Sequence, residues 1–188
     1  MPAYNHSLAL APIFPGEDPE VFTRWRAVAE QTLDSYPWSD NVRRAIACIR
    51  LDRGDEAYRL LAAESTTRED DSNCTYASGS SGIYSTAELL LSSYDGVIRV
   101  FPGWPRGKAA RFRDLRAVGG FRIAAHTDGR VIGPIRLDSD GGNPATVRLP
   151  WPEGTVTTLA GEAVPYTRDG KTLTFPTIVG GSYFIAPG

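Results

Sequence analysis

Apolar residues recur along this chain with two different periods, and the change falls near its middle. Up to about residue 63 the spacing is helical. Val21, Phe22, Trp25, Val28, Ala29 and Leu33 share one face of a helix that begins near Asp18-Pro19-Glu20. Asp18 suits the N-cap and Pro19 the first helical position. Ser35-Tyr36-Pro37-Trp38 breaks that helix. A second helix, from Ser39 or Asp40, carries Val42, Ala45, Ile46 and Ile49 as its stripe, with Arg43, Arg44 and Arg50 mostly elsewhere and Gly54 as the expected stop. A third, from about Asp55 to Ala63, turns Ala57, Leu60 and Leu61 inward. Short connections make consecutive helices antiparallel neighbours, so the three read as part of a helical array. Residues 1–16 are irregular, and their proline-broken apolar run Leu8 to Gly16 is expected to pack against something else.

The stretch from Thr86 to Pro105 connects the two halves. Ser85 can cap a short apolar helix containing Ala87, Leu89, Leu90 and Leu91, with Glu88 completing a capping box. Asp95-Gly96 supplies a turn, and Val97, Ile98, Val100 and Phe101 favour a strand that ends at Pro102, Gly103 and Pro105, with Trp104 as an apolar anchor. Beyond it the period becomes two. Strands are expected over Phe112–Ala117, Phe121–Ala125, the apolar positions Val131, Ile132, Ile135 and Leu137, then Thr146–Leu149 and Thr155–Leu159. A hairpin pairs Val164–Tyr166 with Leu173–Phe175 around Arg168-Asp169-Gly170-Lys171, and Tyr183-Phe184-Ile185 closes the series. Short strands at this spacing indicate an antiparallel sandwich. The fold class is therefore α+β, a partial helical array over residues 1–96 followed by a β-sandwich over 97–188.

Chemistry is sparse in the pattern. Ser65 to Gly82 is rich in Ser, Asp and Gly and reads as a long loop. Its carboxylates Glu69, Asp70 and Asp71 fit either an acid or base role or a solvated loop. His6 fits either a site near a sugar or a surface position, and Tyr36 and Trp38 either a sugar stack or a helix junction. Arg111, Arg113, Arg116 and Arg122 interleave with Asp114 and read as the solvated face of a sheet. Cys48 lies in a helical apolar pattern and Cys74 in a polar loop; with two histidines far apart in sequence they make no metal-ligand spacing. Asn5 and Asn73 head short glycosylation sequons. No phosphate loop and no nucleophile elbow is present, and a formal net charge of -2 over 188 residues gives no electrostatic case for nucleic acid or an anionic membrane.

The connector and the strands after it resemble the C-terminal part of glycoside hydrolase family 95, the α-L-fucosidase group. The resembling residues run from Ala87-Glu88-Leu89-Leu90-Leu91 through Tyr94-Asp95-Gly96 and Val100-Phe101-Pro102-Gly103-Trp104-Pro105. They continue through Leu115-Arg116-Ala117-Val118-Gly119-Gly120-Phe121 and Asp128-Gly129-Arg130-Val131. Leu8 to Gly16 and the helices after it are similar to the last helices of that family's (α/α)6 barrel. The resemblance implies the tail of an inverting, carboxylate-using hydrolase whose general acid and most sugar contacts lie on barrel helices beyond this chain. The family's base-assisting Asp, in an Asp-Gly-Asn-Phe-Gly-like loop, falls by counting near Ala77, so no catalytic residue carries over. The expected role is to support the barrel and border its sugar site, with Asp70, Asp71, Asn73, Ser80 and His6 as border residues and no activity from the chain alone. The expected partners are a carbohydrate and the rest of a barrel, or a partner chain, over the helical face, with no cofactor, metal, nucleic acid or membrane. The rival expectations are a free-standing carbohydrate-binding module, carried by aromatics such as Trp38, Trp104, Trp151 or Tyr166, and a structural or interaction domain.

Overall fold

The computed structural model describes residues 10–35, 41–67 and 84–188. The chain divides into two compact units, one of residues 1–89 with 102–104 and one of residues 90–101 with 105–188. The class is α+β with a β-sandwich, as the two hydrophobic periods predict.

The helical unit contains α1 (Pro19–Phe22), α2 (Arg26–Ser35), α3 (Asn41–Arg50), α4 (Gly54–Thr67) and α5 (residues 84–90). Asp18 caps α1 by accepting from the Glu20 N–H at 3.0 Å, and Pro19 opens the helix. The single first helix expected from the apolar spacing is broken after Phe22. The Thr23 hydroxyl donates back to the Pro19 carbonyl at 3.0 Å, and Thr23 leaves helical geometry at φ -120, ψ -89. Val21, Ala29 and Leu33 are buried as expected, but Trp25 is 45% and Val28 54% exposed, off the face they were assigned to.

The second helix ends differently from expectation too. Asp52 takes the left-handed position at φ 61. Around it the Arg53 N–H reaches the Cys48 carbonyl at 2.7 Å and the Asp52 N–H the Ile49 carbonyl at 3.2 Å, the paired bonds of a Schellman cap. Gly54 is not the stop; it is the first residue of α4. The third helix runs past its expected end at Ala63 and takes in the first residues of the expected loop, Ser65 to Thr67; residues 68–82 of that loop lie outside the described residues. Ser85 does not cap α5, since residue 84 is already helical; Ser85 is fully buried within the helix. The helix stops at residue 90, short of the expected Leu91. Leu10 and Ile13, from the irregular leading segment, pack with Leu33, Ile49, Leu51 and Leu89 in the core of this unit. Trp104 meets Tyr58 edge to face at 6.0 Å.

The sandwich unit holds ten strands: β1 (Leu91–Ser92), β2 (Ile98–Val100), β3 (Ala110–Ala117), β4 (Phe121–Thr127), β5 (Ile135–Ser139), β6 (Ala145–Arg148), β7 (Gly154–Thr158), β8 (Thr167–Asp169), β9 (Thr172–Phe175) and β10 (Ser182–Pro187). One sheet has the order β1-β2-β6-β9-β8 and the other β3-β4-β5-β10-β7. The pairing is antiparallel except that β2 lies parallel to β6, which the antiparallel expectation did not include. Alternate residues face the core, as in Phe121, Ile123 and Ala125 of β4 and Leu173 and Phe175 of β9. Phe175 and Tyr183, from strands of the two sheets, approach to 5.6 Å between ring centres. The hairpin's first strand is Thr167–Asp169 and not the expected Val164–Tyr166, and its turn is tighter: Thr167 faces Thr174 and Asp169 faces Thr172 around Gly170-Lys171. The expected strand over Val131–Leu137 begins only at Ile135, because Pro134 has no N–H for the ladder; Val131 is 60% exposed and Ile132 makes a lone bridge to Thr127. No helix among the described residues is long and apolar enough to cross a membrane.

Candidate functional site

Among the described residues, the most deeply buried charged side chain of the helical unit is Arg50, at the end of α3. Arg50 is 2% exposed. Its position follows from spacing, for Val42, Ile46 and Arg50 stand four residues apart and therefore lie on one helical face. The sequence reading placed Arg50 mostly off that stripe because a cation is expected outside; the signal was in the i, i+4, i+8 register.

Two stretches distant in sequence converge on this guanidinium. From the leading segment, the Ile13 carbonyl accepts at 3.1 Å and the Glu17 carboxylate sits at 2.9 Å. From α5, the Glu88 carboxylate lies at 3.6 Å. The guanidinium carbon stands 4.9 Å from the centre of the Phe14 ring, a cation–π distance. Phe14 stacks in turn on Tyr84, with ring centres 5.6 Å apart and planes at 29°. Tyr84 donates its hydroxyl to Glu88 at 3.0 Å. Burial and the neighbouring Glu88 carboxylate push the Tyr84 phenol up to about 12, so it stays protonated and acts as a donor.

The backbone at Glu17 is part of the construction. Its φ is +50, a conformation uncommon outside glycine. It carries the carboxylate to Arg50 just before Asp18 caps α1. Glu17 keeps 39% of its side chain exposed, against 11% for Glu88.

Glycoside hydrolysis needs two carboxylates with a sugar between them. Here a buried guanidinium stands between Glu17 and Glu88 as the ionic partner of both. The arrangement orients side chains, then, and does not leave the pair open to a glycosidic bond.

The sequence-derived border residues His6, Asp70, Asp71, Asn73 and Ser80 lie outside the described residues, as do Tyr36, Trp38, Glu69, Cys74 and Ala77. The aromatics considered for a binding platform separate: Trp151 is 8% exposed and donates to the Ile132 carbonyl at 2.8 Å, Trp104 is packed on Tyr58, and Tyr166 is 40% exposed. The arginines of β3 and β4 do belong to a solvated face, where Arg116 and Arg122 both reach Asp140, at 2.6 and 3.1 Å. Cys48 is buried, and burial holds its thiol up at about 12. Among the described residues no group of His, Cys, Asp or Glu could hold a metal ion.

No family model and no curated protein matches this chain. Among solved structures it is similar to part of the catalytic domain of GH30 xylanase C from Talaromyces cellulolyticus, at 11% identity and a TM-score of 0.30 over 53% of this chain. It is also similar to part of a GH127 β-L-arabinofuranosidase from Geobacillus stearothermophilus T6, at 14% identity and a TM-score of 0.37 over 78% of this chain. The chain spans 27% and 31% of the lengths of those two structures. Both proteins are glycoside hydrolases; at these scores neither likeness bears on what this chain binds.

Proposed function

We propose that this chain is the C-terminal portion of a fucosidase-like glycoside hydrolase, supporting a helical barrel and bordering its sugar site, and without catalytic activity alone. The observation that carries this reading is the fold of the resembling stretch. Residues 84–90 are helical, Asp95 takes the left-handed turn position at φ 53, Ile98–Val100 form a strand, and the chain then turns at Pro102-Gly103. That is the element order the resemblance implies. The exposed pair Trp25 and Val28, three residues apart next to and on α2, suits a face covered by further barrel helices.

The rival of a free-standing carbohydrate-binding module gains nothing from Trp104 or Trp151, since both are engaged in packing. The test begins with the reading frame upstream of the Met1 codon and with hydrolysis of an aryl α-L-fucoside. The expected result is an open frame whose longer product hydrolyses the glycoside while this chain alone does not. A closed frame with its own start signal, or hydrolysis by this chain alone, would overturn the reading.

A further inference from the structure

Aliphatic side chains scattered singly on a surface are ordinary, but four exposed ones of this chain gather at one end of one sheet. In the β3-β4-β5-β10-β7 sheet, β3 leaves at Ala117, β4 enters at Phe121, β5 leaves at Ser139, β10 enters at Ser182 and β7 leaves at Thr158, and the strand registers bring all five to the same end. The tips beyond them carry Val118, Leu159, Ile178 and Val179, exposed by 67%, 63%, 71% and 73%. The tips are held to one another. The Asn143 side-chain amide donates to the Gly119 carbonyl at 3.0 Å, next to Val118. A Cβ on Gly142 would lie 2.9 Å from a Val179 methyl, and the Leu159 N–H donates to the Ser182 carbonyl at 3.0 Å. Beneath them, Ser139 and Thr177 are buried and their hydroxyls stand 2.7 Å apart. The Thr177 hydroxyl donates to the Asn143 carbonyl at 2.6 Å, so its oxygen is the acceptor for Ser139, whose own oxygen accepts from the Gly142 N–H at 3.0 Å. The Ile178 N–H donates to the Tyr183 hydroxyl at 2.9 Å, and the Gly180 N–H to the Ser139 carbonyl at 2.7 Å. The loops thus spend these polar groups on each other and present aliphatic side chains, at little ordering cost to a partner.

We propose that this end of the sandwich is the interface of a two-fold dimer, with Val118, Leu159, Ile178 and Val179 of two copies packed together and Asp114 and Arg116 paired across the axis. The charges choose the occupant. Arg116 and Arg122 are matched in number by Asp114 and Asp140, and Glu162 follows Leu159 by three residues. Such an end has no cationic excess to draw an anionic lipid surface or a nucleic acid. A second copy suits it. On β3, two residues before Val118, the Arg116 side chain is 70% exposed and engages Asp140 through one terminal nitrogen. Two residues earlier the Asp114 side chain is 58% exposed, and its carboxylate stands 3.7 Å from Arg122, beyond hydrogen-bonding distance. A two-fold axis makes residue i meet j while j meets i, so one cation and one anion with capacity to spare supply two pairs. The free edge of β3 is not the contact, because the bulge between Phe112 and Leu115, with Asp114 at φ 59, interrupts it for strand pairing. The size sets the strength. An apolar patch of roughly 300–600 Å² falls short of the ~800 Å² that each partner of a standard interface buries, so the dimer is a weak one with a micromolar Kd. The inference stands apart from the carbohydrate reading, whose failure would leave it untouched.

The experiment is analytical ultracentrifugation of the full chain from about 5 μM to about 500 μM, a range that brackets a weak dimer. The mass is expected to rise from 20.4 kDa toward twice that value. Val118→Asp and Ile178→Asp should each weaken self-association by about tenfold or more, because a dimer would bury the new carboxylate without a partner. Both positions are exposed in the single chain, and circular dichroism confirms that each variant is folded. Arg116→Gln and Asp114→Asn should each weaken the dimer by about fivefold. Asn tolerates the left-handed backbone at position 114. The double variant should lose no more than the weaker of the two singles, since both remove the same pairs across the axis. A monomer at every concentration would overturn the inference. So would a dimer that folded Val118→Asp and Ile178→Asp leave unchanged, losses that add in the Asp114/Arg116 double variant, or a dimer abolished by Val28→Asp on α2 alone. Sedimentation of the chain with phosphatidylcholine vesicles, lost in Ile178→Asp, would assign the end to a lipid surface and overturn it as well.

Discussion

Replacing Arg50 with methionine should destabilise the helical unit sharply, and replacing its buried partner as well should restore much of the loss. Arg50→Met keeps the volume of the stem but removes the cation that Glu88 faces in the cluster. Breaking one side of a buried pair costs roughly 3–5 kcal/mol, because the remaining charge stays desolvated. Glu17 adds little, since a pair with 39% exposure on one side is screened and contributes about 0–1 kcal/mol. The Ile13 carbonyl loses a donor, and an unsatisfied buried acceptor costs about 1–3 kcal/mol. These terms overlap, so roughly 3–5 kcal/mol is the expected total. Urea unfolding followed by circular dichroism at the helical band would read it; with a slope near 1.5 kcal/mol/M the midpoint falls by about 2–3 M. The double variant Arg50→Met/Glu88→Leu removes both charges, and buried pairs replaced by apolar groups are often neutral. It should recover at least half of the loss. A single-variant cost below about 1 kcal/mol, or a double variant as unstable as the sum of the singles, would refute an ion cluster that behaves as a unit.

Local geometry sets three further outcomes. Gly54→Ala drives a methyl into the Pro102 carbonyl oxygen and to 2.7 Å from the Gly103 Cα, backbone atoms that cannot swing away, so the melting temperature should fall by an amount equivalent to about 1–3 kcal/mol. The Cys48 thiol, fully buried and with its pKa pushed up to about 12, should resist Ellman's reagent at pH 8 in the folded chain and react on unfolding, with the labelled peptide identified by mass spectrometry. The Val131 and Arg130 N–H groups, at 2.8 and 2.7 Å from its carboxylate, hold Asp128 below the usual Asp range. Its stabilising contribution is then complete above the ordinary Asp pKa and is lost as pH falls through the lower folded value, which a carbon-detected NMR titration of the Asp128 carboxyl would show.

The two periods of the apolar pattern were enough to read the class and most of the strands, since side-chain alternation and helical stripes are local signals. What local reading missed has a common cause. Thr23 breaks the first helix through its own hydroxyl, and Pro134 delays β5 by withholding an N–H; both residues were visible, but a periodic stripe outweighed them. The cluster at Arg50 was harder. Its members come from residues 13–17, residue 50 and residues 84–88, and no spacing within one segment announces that they meet. Only the register of Arg50 with Val42 and Ile46 hinted that a cation faces inward. The border residues expected from the resemblance lie outside the described residues.

Gly54 shows why a residue can be rightly singled out for the wrong reason. Locally, a glycine after a helical stripe is best explained as a left-handed cap. In this chain Asp52 fills that position, with its carboxylate 3.4 Å from Arg26, whose guanidinium also donates to the Leu51 carbonyl at 2.7 Å. An aspartate tolerates the conformation and brings a charge that neutralises a neighbour, so a glycine is not needed there. Gly54 is needed for a distant contact, the passage of the Pro102-Gly103 corner. Gly103 answers it: a Cβ there would lie 2.5 Å from a Leu89 methyl and 3.1 Å from the Ile49 side chain. With no side chain at either glycine, the corner settles onto α3, α4 and α5 and brings Trp104 against Tyr58. Substituting either with alanine should therefore loosen the Trp104–Tyr58 contact as well as lower stability. A cap glycine would predict a loss at Gly54 alone, with Trp104 undisturbed, so tryptophan fluorescence of Gly54→Ala and Gly103→Ala separates the two explanations.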